Sequence, residues 1–330
     1  MKQLIVGAAR GAGHAAMMPL EAALRRKARS FQSPAPPVFL IGPPRSGTTL
    51  FYEAMITRFR FAYISNAAHR FFRTPLAATR LARPAIEARD SAFSSSMGHI
   101  DGWAAPNEGG WNWKRWLPDG DWSGDTLVAE VALAELQSLT NGLSMVLDAP
   151  FLNKNVMHSN RLARMAAIWP DARFITVRRD VRANVRSIVK AERQDRGPRK
   201  DGQNWWSVRP SIAPEWLGRG DVERAVAQVV GTLADIARDA ERLDSSRFAD
   251  VEYELFCADP RKCMKTVRSF LTGTGGSPAP RNQLPKDFTL SPGRLLDDAD
   301  EERIEQALAE LSRSEMAEGA IARAATRSAP

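Results

Sequence analysis

Residues 42–49 read Gly42-Pro43-Pro44-Arg45-Ser46-Gly47-Thr48-Thr49, placing one guanidinium and three hydroxyls between or just beyond two glycines. This set is suited to gripping an anion. Glycine lets the backbone come close to a ligand, and the first-turn N–H groups of a following helix point at it with the positive end of the helix dipole. The Gly-x4-Gly spacing is that of a nucleotide-binding P-loop, yet Thr48 stands where the lysine of Gly-Lys-[Ser/Thr] would reach a terminal phosphate. An NTPase needs that lysine, together with a hydroxyl and a carboxylate on Mg²⁺, because charge builds up on the transferred phosphoryl group. With the cation at Arg45 and hydroxyls at Ser46, Thr48 and Thr49, the loop suits a nucleotide with fewer phosphates in line. The bland alternative is a Gly/Pro turn joining a strand to a helix.

The stretch Pro-Pro-Arg-Ser-Gly-Thr-Thr-Leu resembles the 5′-phosphosulfate loop of sulfotransferases that use 3′-phosphoadenosine 5′-phosphosulfate (PAPS). A second stretch, Trp169-Pro170-Asp171-Ala172-Arg173-Phe174-Ile175-Thr176-Val177-Arg178-Arg179-Asp180, followed by Ser187, resembles the family's 3′-phosphate segment, with Val181 where proline is usual. Arg179 and Ser187 are eight residues apart, the separation at which that family holds the 3′-phosphate. A guanidinium fork grips phosphate oxygens, and a hydroxyl two helical turns on adds a donor on the same side. Phe151-Leu152-Asn153-Lys154-Asn155 resembles the segment that brings a lysine to the sulfuryl group, which implies that Lys154 neutralises charge on the leaving phosphate, together with Arg45. Tyr253-Glu254-Leu255 and Ala258-Asp259-Pro260 complete the likeness, which covers about 38–271. A late Arg-Lys-Gly element is missing, which favours the bacterial and Golgi-like branches. The resemblance implies PAPS as cofactor, held by Pro44, Arg45, Ser46, Gly47, Thr48, Thr49, Arg179 and Ser187. It also implies metal-independent, in-line transfer of a sulfuryl group to a hydroxyl or amine of a small-molecule, glycan or lipid-linked acceptor.

Such a transfer needs a group to take the acceptor proton. Glu108, in Ala105-Pro106-Asn107-Glu108-Gly109-Gly110, sits on backbone constrained by a proline and two glycines and is the first candidate. The resemblance supports it, since a Pro-x-Glu in this interval faces the acceptor in many bacterial sulfotransferases. His99 is the second candidate, because some branches of the family use histidine. Both lie in a Ser/Gly-rich loop insertion near 91–124, which carries Trp103, Trp111, Trp113, Trp116 and Trp122. Indole faces there either hold a ring of the acceptor or form a local core. Arg182 and Arg186 add positive field to the phosphate site or are plain exposed helix arginines.

These residues need a scaffold. Val38–Ile41 is a short apolar run after the Pro34–Pro37 breaker and predicts a core strand, with a helix over 48–58. A helix over about 126–139 is followed by Asn141-Gly142 and an apolar run, Leu143–Leu147, expected to be a second strand ending in Asp148. A strand ending in Asp is what a Walker B segment looks like, so a P-loop kinase or NTPase stays open, as does a catalytically inactive nucleotide-binding protein. A third strand lies in 173–177, and a charge-rich excursion near 191–220 is expected to be a lid. A structural helix over 221–243, a strand from Arg247, a helix capped by Asp259-Pro260 and a C-terminal helix near 299–317 follow. The alternation predicts an α/β, three-layer P-loop-type fold with a mostly parallel central sheet flanked by helices. The expected division is an N-terminal helical extension at 1–33 and one domain over 34–330.

At 330 residues and 44% hydrophobic the chain can bury one large core. Its net charge of +8 is scattered, without a Lys/Arg block interleaved with aromatics, so a small anionic cofactor explains the excess and nucleic acid is not expected. Cys257 and Cys263 have no further ligands around them, which reads as free thiols in a cytoplasmic protein. Residues 20–31 form a basic amphipathic segment that either packs as an N-terminal helix or lies peripherally on an anionic membrane surface. The acceptor and the oligomeric state are left open.

Overall fold

The structure, a computed structural model, describes residues 2–95, 98–117, 130–196, 205–272, 278–290 and 295–313; side chains are described from residue 11 on, except 195 and 196. In chain order the elements are α1 (Lys2–Ser30), β1 (Val38–Ile41), α2 (Thr48–Arg58), α3 (Asn66–Arg70), α4 (Pro75–Glu87), α5 (Gly110–Lys114) and α6 (Glu130–Leu147). There follow β2 (Leu152–Lys154), α7 (Leu162–Ile168), β3 (Arg173–Arg178), α8 (Val181–Arg196), α9 (Ala213–Trp216) and α10 (Asp221–Ala240). The last are β4 (Phe248–Glu252), α11 (Tyr253–Ala258), α12 (Pro260–Thr272) and α13 (Asp298–Ser312).

The sheet has four strands in the order β2-β1-β3-β4, and every pairing is parallel. All four residues of β1 are buried, as expected for a strand covered on both faces by helices. Val38 lies opposite Leu152 of β2 on one side and Arg173 of β3 on the other. The chain leaves β1 for β2 at one edge, then crosses to β3 on the opposite side. That reversal makes the carboxyl end of β1 a topological switch point, where open α/β sheets keep a crevice for ligands. The expected α/β fold, a parallel sheet flanked by helices, is what the chain adopts.

Several elements differ from expectation. Leu143–Leu147 is not a strand but the last turns of α6, and the strand that pairs with β1 is the three-residue Leu152–Lys154. Gly142 is not a turn either. It lies inside α6, where a Cβ would come within 2.5 Å of the Leu76 side chain and 3.2 Å of Ala28, so glycine permits close approach of α6 to α4 and α1. The excursion near 191–220 begins later than expected, because α8 runs on to Arg196. The helix expected over 221–243 ends at Ala240, and Trp122 and residues 314–317 of the expected terminal helix lie outside the described residues.

Of residues 20–31, all but Phe31 belong to α1, and Leu24 and Ala28 face inward. Ala28 is fully buried, Leu24 packs on the core, and the carboxylate of Glu21 accepts from the backbone N–H of Ala77 in the first turn of α4 at 2.9 Å. Arg25 reaches from Glu21 to Glu135 of α6, both at 2.8 Å. Among the described residues no helix is long and apolar enough to cross a membrane.

A second apolar cluster joins α8, α10 and α13, with Val185, Ile188, Val226, Val229 and Ile304 at its centre. Arginine–carboxylate pairs lace its surface. Arg193 meets Asp221 at 2.6 Å and Asp300 at 2.7 Å, and Arg303 meets Glu223 at 2.7 Å.

Candidate active site

The loop between β1 and α2 keeps its shape through both backbone and neighbours. Arg45 has φ 65° and Gly47 φ 91°, the left-handed region. At Gly47 a Cβ would lie 2.1 Å from the ring of Tyr253, so only glycine fits there. Ser159 Oγ accepts from the Gly42 N–H at 3.0 Å and donates to its carbonyl at 3.1 Å, while Asn184 Nδ2 of α8 donates to the Pro44 carbonyl at 2.7 Å. No side chain caps the N-terminus of α2, and Ser46 Oγ, fully buried, has no hydrogen-bond partner. An anion that accepts from the loop satisfies the uncapped first-turn N–H groups of α2.

At the α8 side of the loop, cations gather. Arg45 Nε donates to Ser187 Oγ at 3.3 Å, and Arg179 Nη1 donates to the Arg45 carbonyl at 3.1 Å. The Arg179 guanidinium lies 5.1 Å from the centroid of the Tyr253 ring. Burial, and then the neighbouring Arg179 cation, push Arg45 below the usual guanidinium range, with Tyr253 acting the other way. Arg45, expected beside Lys154, is thus grouped with Ser187 and Arg179. Arg182 and Arg186 do not join them, since they are hydrogen-bonded to Glu305 and Glu301 of α13.

At the β2 side stands Lys154, only 4% exposed at the end of its strand. Its Nζ donates to Thr49 Oγ1 at 3.0 Å and pairs with the carboxylate of Glu108. Glu108 is held by its own backbone. Its carbonyl accepts from Trp113 Nε1 at 2.8 Å, and the next N–H, of Gly109, donates to Asn107 Oδ1 at 2.8 Å. Asn107 in turn donates to Asn66 Oδ1 at 2.7 Å.

Both groups face one cavity of about 580 Å³, lined by Pro44, Arg45, Gly47, Thr48, Thr49, Glu108, Lys154, Arg179 and Ser187. Ser46 lies beneath the loop rather than in the wall. Three cations on the walls suit an anionic ligand, and the Glu108 carboxylate among them can accept a proton. His99 is not brought here. It is exposed and lines a neighbouring cavity of about 510 Å³ with Glu53, Arg89 and Trp103. A further cavity of about 870 Å³, around Pro34–Pro37, Arg173 and Arg247, lies at the amino ends of the strands, away from all of these groups.

The tryptophans divide between the two roles that the sequence left open. Trp113 is 1% exposed and packs edge-on against Phe39, Phe151 and His158, whereas Trp103 and Trp111 are 59% and 54% exposed, stacked on Phe71 and Phe72. Trp206 and Ser207 from the second excursion line the 580 Å³ cavity, as do Phe93, Ser94 and Ser95. Sequence reasoning passed over Ser159 and Asn184, which fasten the loop, and Tyr253, which roofs it. The signal for Asn184 is its position three residues before Ser187, on the same helical face.

In overall fold the chain is similar to sulfotransferase STF1 from Mycobacterium tuberculosis, at 15% identity and TM-score 0.51 over 82% of this chain and 77% of that one. It is likewise similar to sulfotransferase STF9 from Mycobacterium avium, at 16% identity and TM-score 0.51 over 86% of this chain and 70% of that one. No curated protein sequence matches it significantly. The Sulfotransferase family profile matches residues 36–273, a span that contains the β1–α2 loop, Glu108, Lys154, Arg179 and Ser187, and the chain therefore belongs to the Sulfotransferase family, a family of transferases.

Proposed function

We propose that the chain transfers a sulfuryl group from PAPS to a hydroxyl or amine of its acceptor. The observation that carries this reading is the pair Arg45 and Arg179. Burial first, and then the Arg179 cation bonded to its carbonyl, depress Arg45, and the Arg45 side chain donates to a hydroxyl, Ser187 Oγ, at 3.3 Å. Like charges kept together in a partly buried site are relieved by a bound anion. The site's chemistry fits a nucleotide with phosphate at both ends of its sugar. Arg45, Arg179 and Ser187 would hold the 3′-phosphate. Pro44, Gly47, Thr48 and Thr49, with the first turn of α2, would hold the 5′ side, and Ser46, buried beneath the loop, would support it from below.

When bound, PAPS supplies a sulfuryl group on a good leaving group; in the transfer one bond forms from sulfur to the acceptor, S–O to a hydroxyl or S–N to an amine, as the S–O bond to the 5′-phosphate breaks and its electron pair leaves with the bisphosphate. Glu108 takes the acceptor proton. Lys154 Nζ stabilises the charge left on the departing phosphate oxygen, and Thr49, already hydrogen-bonded to Nζ, orients it. Lys154 and Glu108 pair with each other in the structure, so an incoming phosphate competes with the carboxylate for the ammonium and leaves Glu108 free to act as a base.

The kinase alternative loses its support, because Leu143–Leu147 is helical and Asp148 is largely exposed beside Arg60 rather than at the end of a strand. Calorimetric titration in EDTA tests the proposal: adenosine 3′,5′-bisphosphate is expected to bind and ATP to bind much more weakly, and labelled PAPS to turn over with an acceptor panel. Tighter binding of Mg²⁺–ATP, with hydrolysis, would overturn it.

A further inference from the structure

The 510 Å³ cavity shares Ser94 and Ser95 with the 580 Å³ cavity, so the two meet at a common wall. Their electrostatics are opposite. In the second cavity Glu53 is 1% exposed and already matched, accepting from Arg89 Nη2 and Ser91 Oγ, each at 2.5 Å. That leaves Asp90 and Asp101, both exposed. Asp90 accepts from the amide of Asn282 at 3.0 Å, and among the described residues neither aspartate makes an ion pair. In a chain of net charge +8, two aspartates without a cationic partner lining one cavity are a local reversal of sign.

The same cavity is lined by Trp103, whose indole is held rather than loose. It stacks on Phe71 at 6.3 Å and 15°. Its segment is pinned by Asn66 Nδ2, which donates to the carbonyls of Ile100 at 2.7 Å and Gly102 at 2.8 Å, and by Tyr63 Oη, which donates to the Ala104 carbonyl at 2.8 Å. Asp101, Trp103 and Glu108 therefore ride on one fastened stretch of chain. An open indole face attracts a cation through the ring quadrupole, and nearby carboxylates supply the opposing charge, while anions are repelled.

The geometry points to an acceptor that carries an ammonium group: an amino alcohol with its cation over Trp103 near Asp90 and Asp101, and its hydroxyl reaching past Ser94 and Ser95 to Glu108. This assignment rests on the sulfuryl-transfer reading, in which the 580 Å³ cavity is filled by the donor and the acceptor must enter from beside it.

The test uses two probes of one shape, choline and its uncharged isostere 3,3-dimethylbutan-1-ol, titrated calorimetrically into the full chain. Choline is expected to bind about tenfold tighter than the neutral alcohol. Trp103→Ala and Asp101→Asn are each expected to weaken choline by roughly three- to tenfold and to leave adenosine 3′,5′-bisphosphate binding unchanged. Equal or tighter binding of the alcohol, or indifference of choline to both variants, overturns the ammonium assignment. If the bisphosphate binds and choline does not, the acceptor class is wrong and the sulfuryl-transfer reading stands. If the bisphosphate fails to bind the unaltered chain, the transfer reading falls and takes the acceptor assignment with it.

Discussion

Arginines around helix α8 meet two kinds of fate, and the contrast separates scaffold from site. On the side facing α13 and α10, each arginine meets a carboxylate: Arg182 with Glu305 at 2.5 Å, Arg186 with Glu301 at 2.7 Å, Arg193 with Asp221 at 2.6 Å. On the side facing the β1–α2 loop, Ser187 meets Arg45, on which the Arg179 cation acts. The proton equilibria move in opposite directions accordingly. Hydrogen bonds donated to Asp221 and Asp300 hold Arg193 above the ordinary guanidinium range, and burial with Arg179 pushes Arg45 below it. One residue type serves both purposes, and the partner decides which. Where the chain supplies the anion the arginine is a staple; where it does not, a ligand is expected to.

The largest effect tests the carboxylate on the site's own wall. Glu108→Gln keeps the shape and the contact with Lys154 but cannot take a proton, so turnover is expected to fall roughly 10²–10⁴-fold, with donor affinity nearly intact. Steady-state kinetics with PAPS decide it. Unchanged turnover in this variant, together with an inactive His99→Ala, would move the base to the second cavity.

The next effect sets the two kinds of arginine against each other. Arg179→Ala is expected to weaken adenosine 3′,5′-bisphosphate by about 1.5–3 kcal/mol, the worth of hydrogen bonds to charged groups, and 5′-AMP much less. Arg182→Ala is expected to leave nucleotide affinity alone and to cost at most about 1 kcal/mol of stability, as exposed pairs do. Equal losses of affinity in both variants would erase the distinction.

The smallest effect concerns a group without charge or partner. His158 is fully buried against Phe39 and Trp113 with neither ring nitrogen hydrogen-bonded, and burial, then Arg161, hold it well below 6.5. The unfolded chain therefore takes up this proton first. Stability from this residue is fully present above about 6.5 and declines as the pH drops below that value toward the folded-state value. Urea midpoints measured across that window should fall with acid, and should fall less in His158→Phe.

Much of this was legible in the chain. Val38–Ile41 and Arg173–Arg178 announce themselves as apolar runs bounded by breakers and charge, and the loop between β1 and α2 carries its chemistry in consecutive residues. Leu143–Leu147 misled because a short apolar run reads alike in a strand and in a buried helix end, and Gly142, which mimics a turn, answers to Leu76 and Ala28 far away in sequence. The real edge strand, Leu152–Lys154, is too short to show alternation. Long-range pairings were equally hidden: nothing near Arg182 in sequence points to Glu305, and nothing near Glu108 points to Lys154. Those partners are chosen by topology, which local patterns do not encode.

The three cations of the donor cavity stand at or just beyond the carboxyl ends of three different strands, Arg45 after β1, Lys154 ending β2 and Arg179 after β3. No fragment of the chain owns the site, and it comes into being only once all three strands have found their register. Their mutual repulsion is likewise a property of the assembled sheet alone, absent from the unfolded chain. Under the proposed function a nucleotide that bridged them would act as a keystone: at a hundred times its dissociation constant it would add about 2.7 kcal/mol to the folded state, so heat resistance gained on adding it would read sheet register and site integrity in a single measurement.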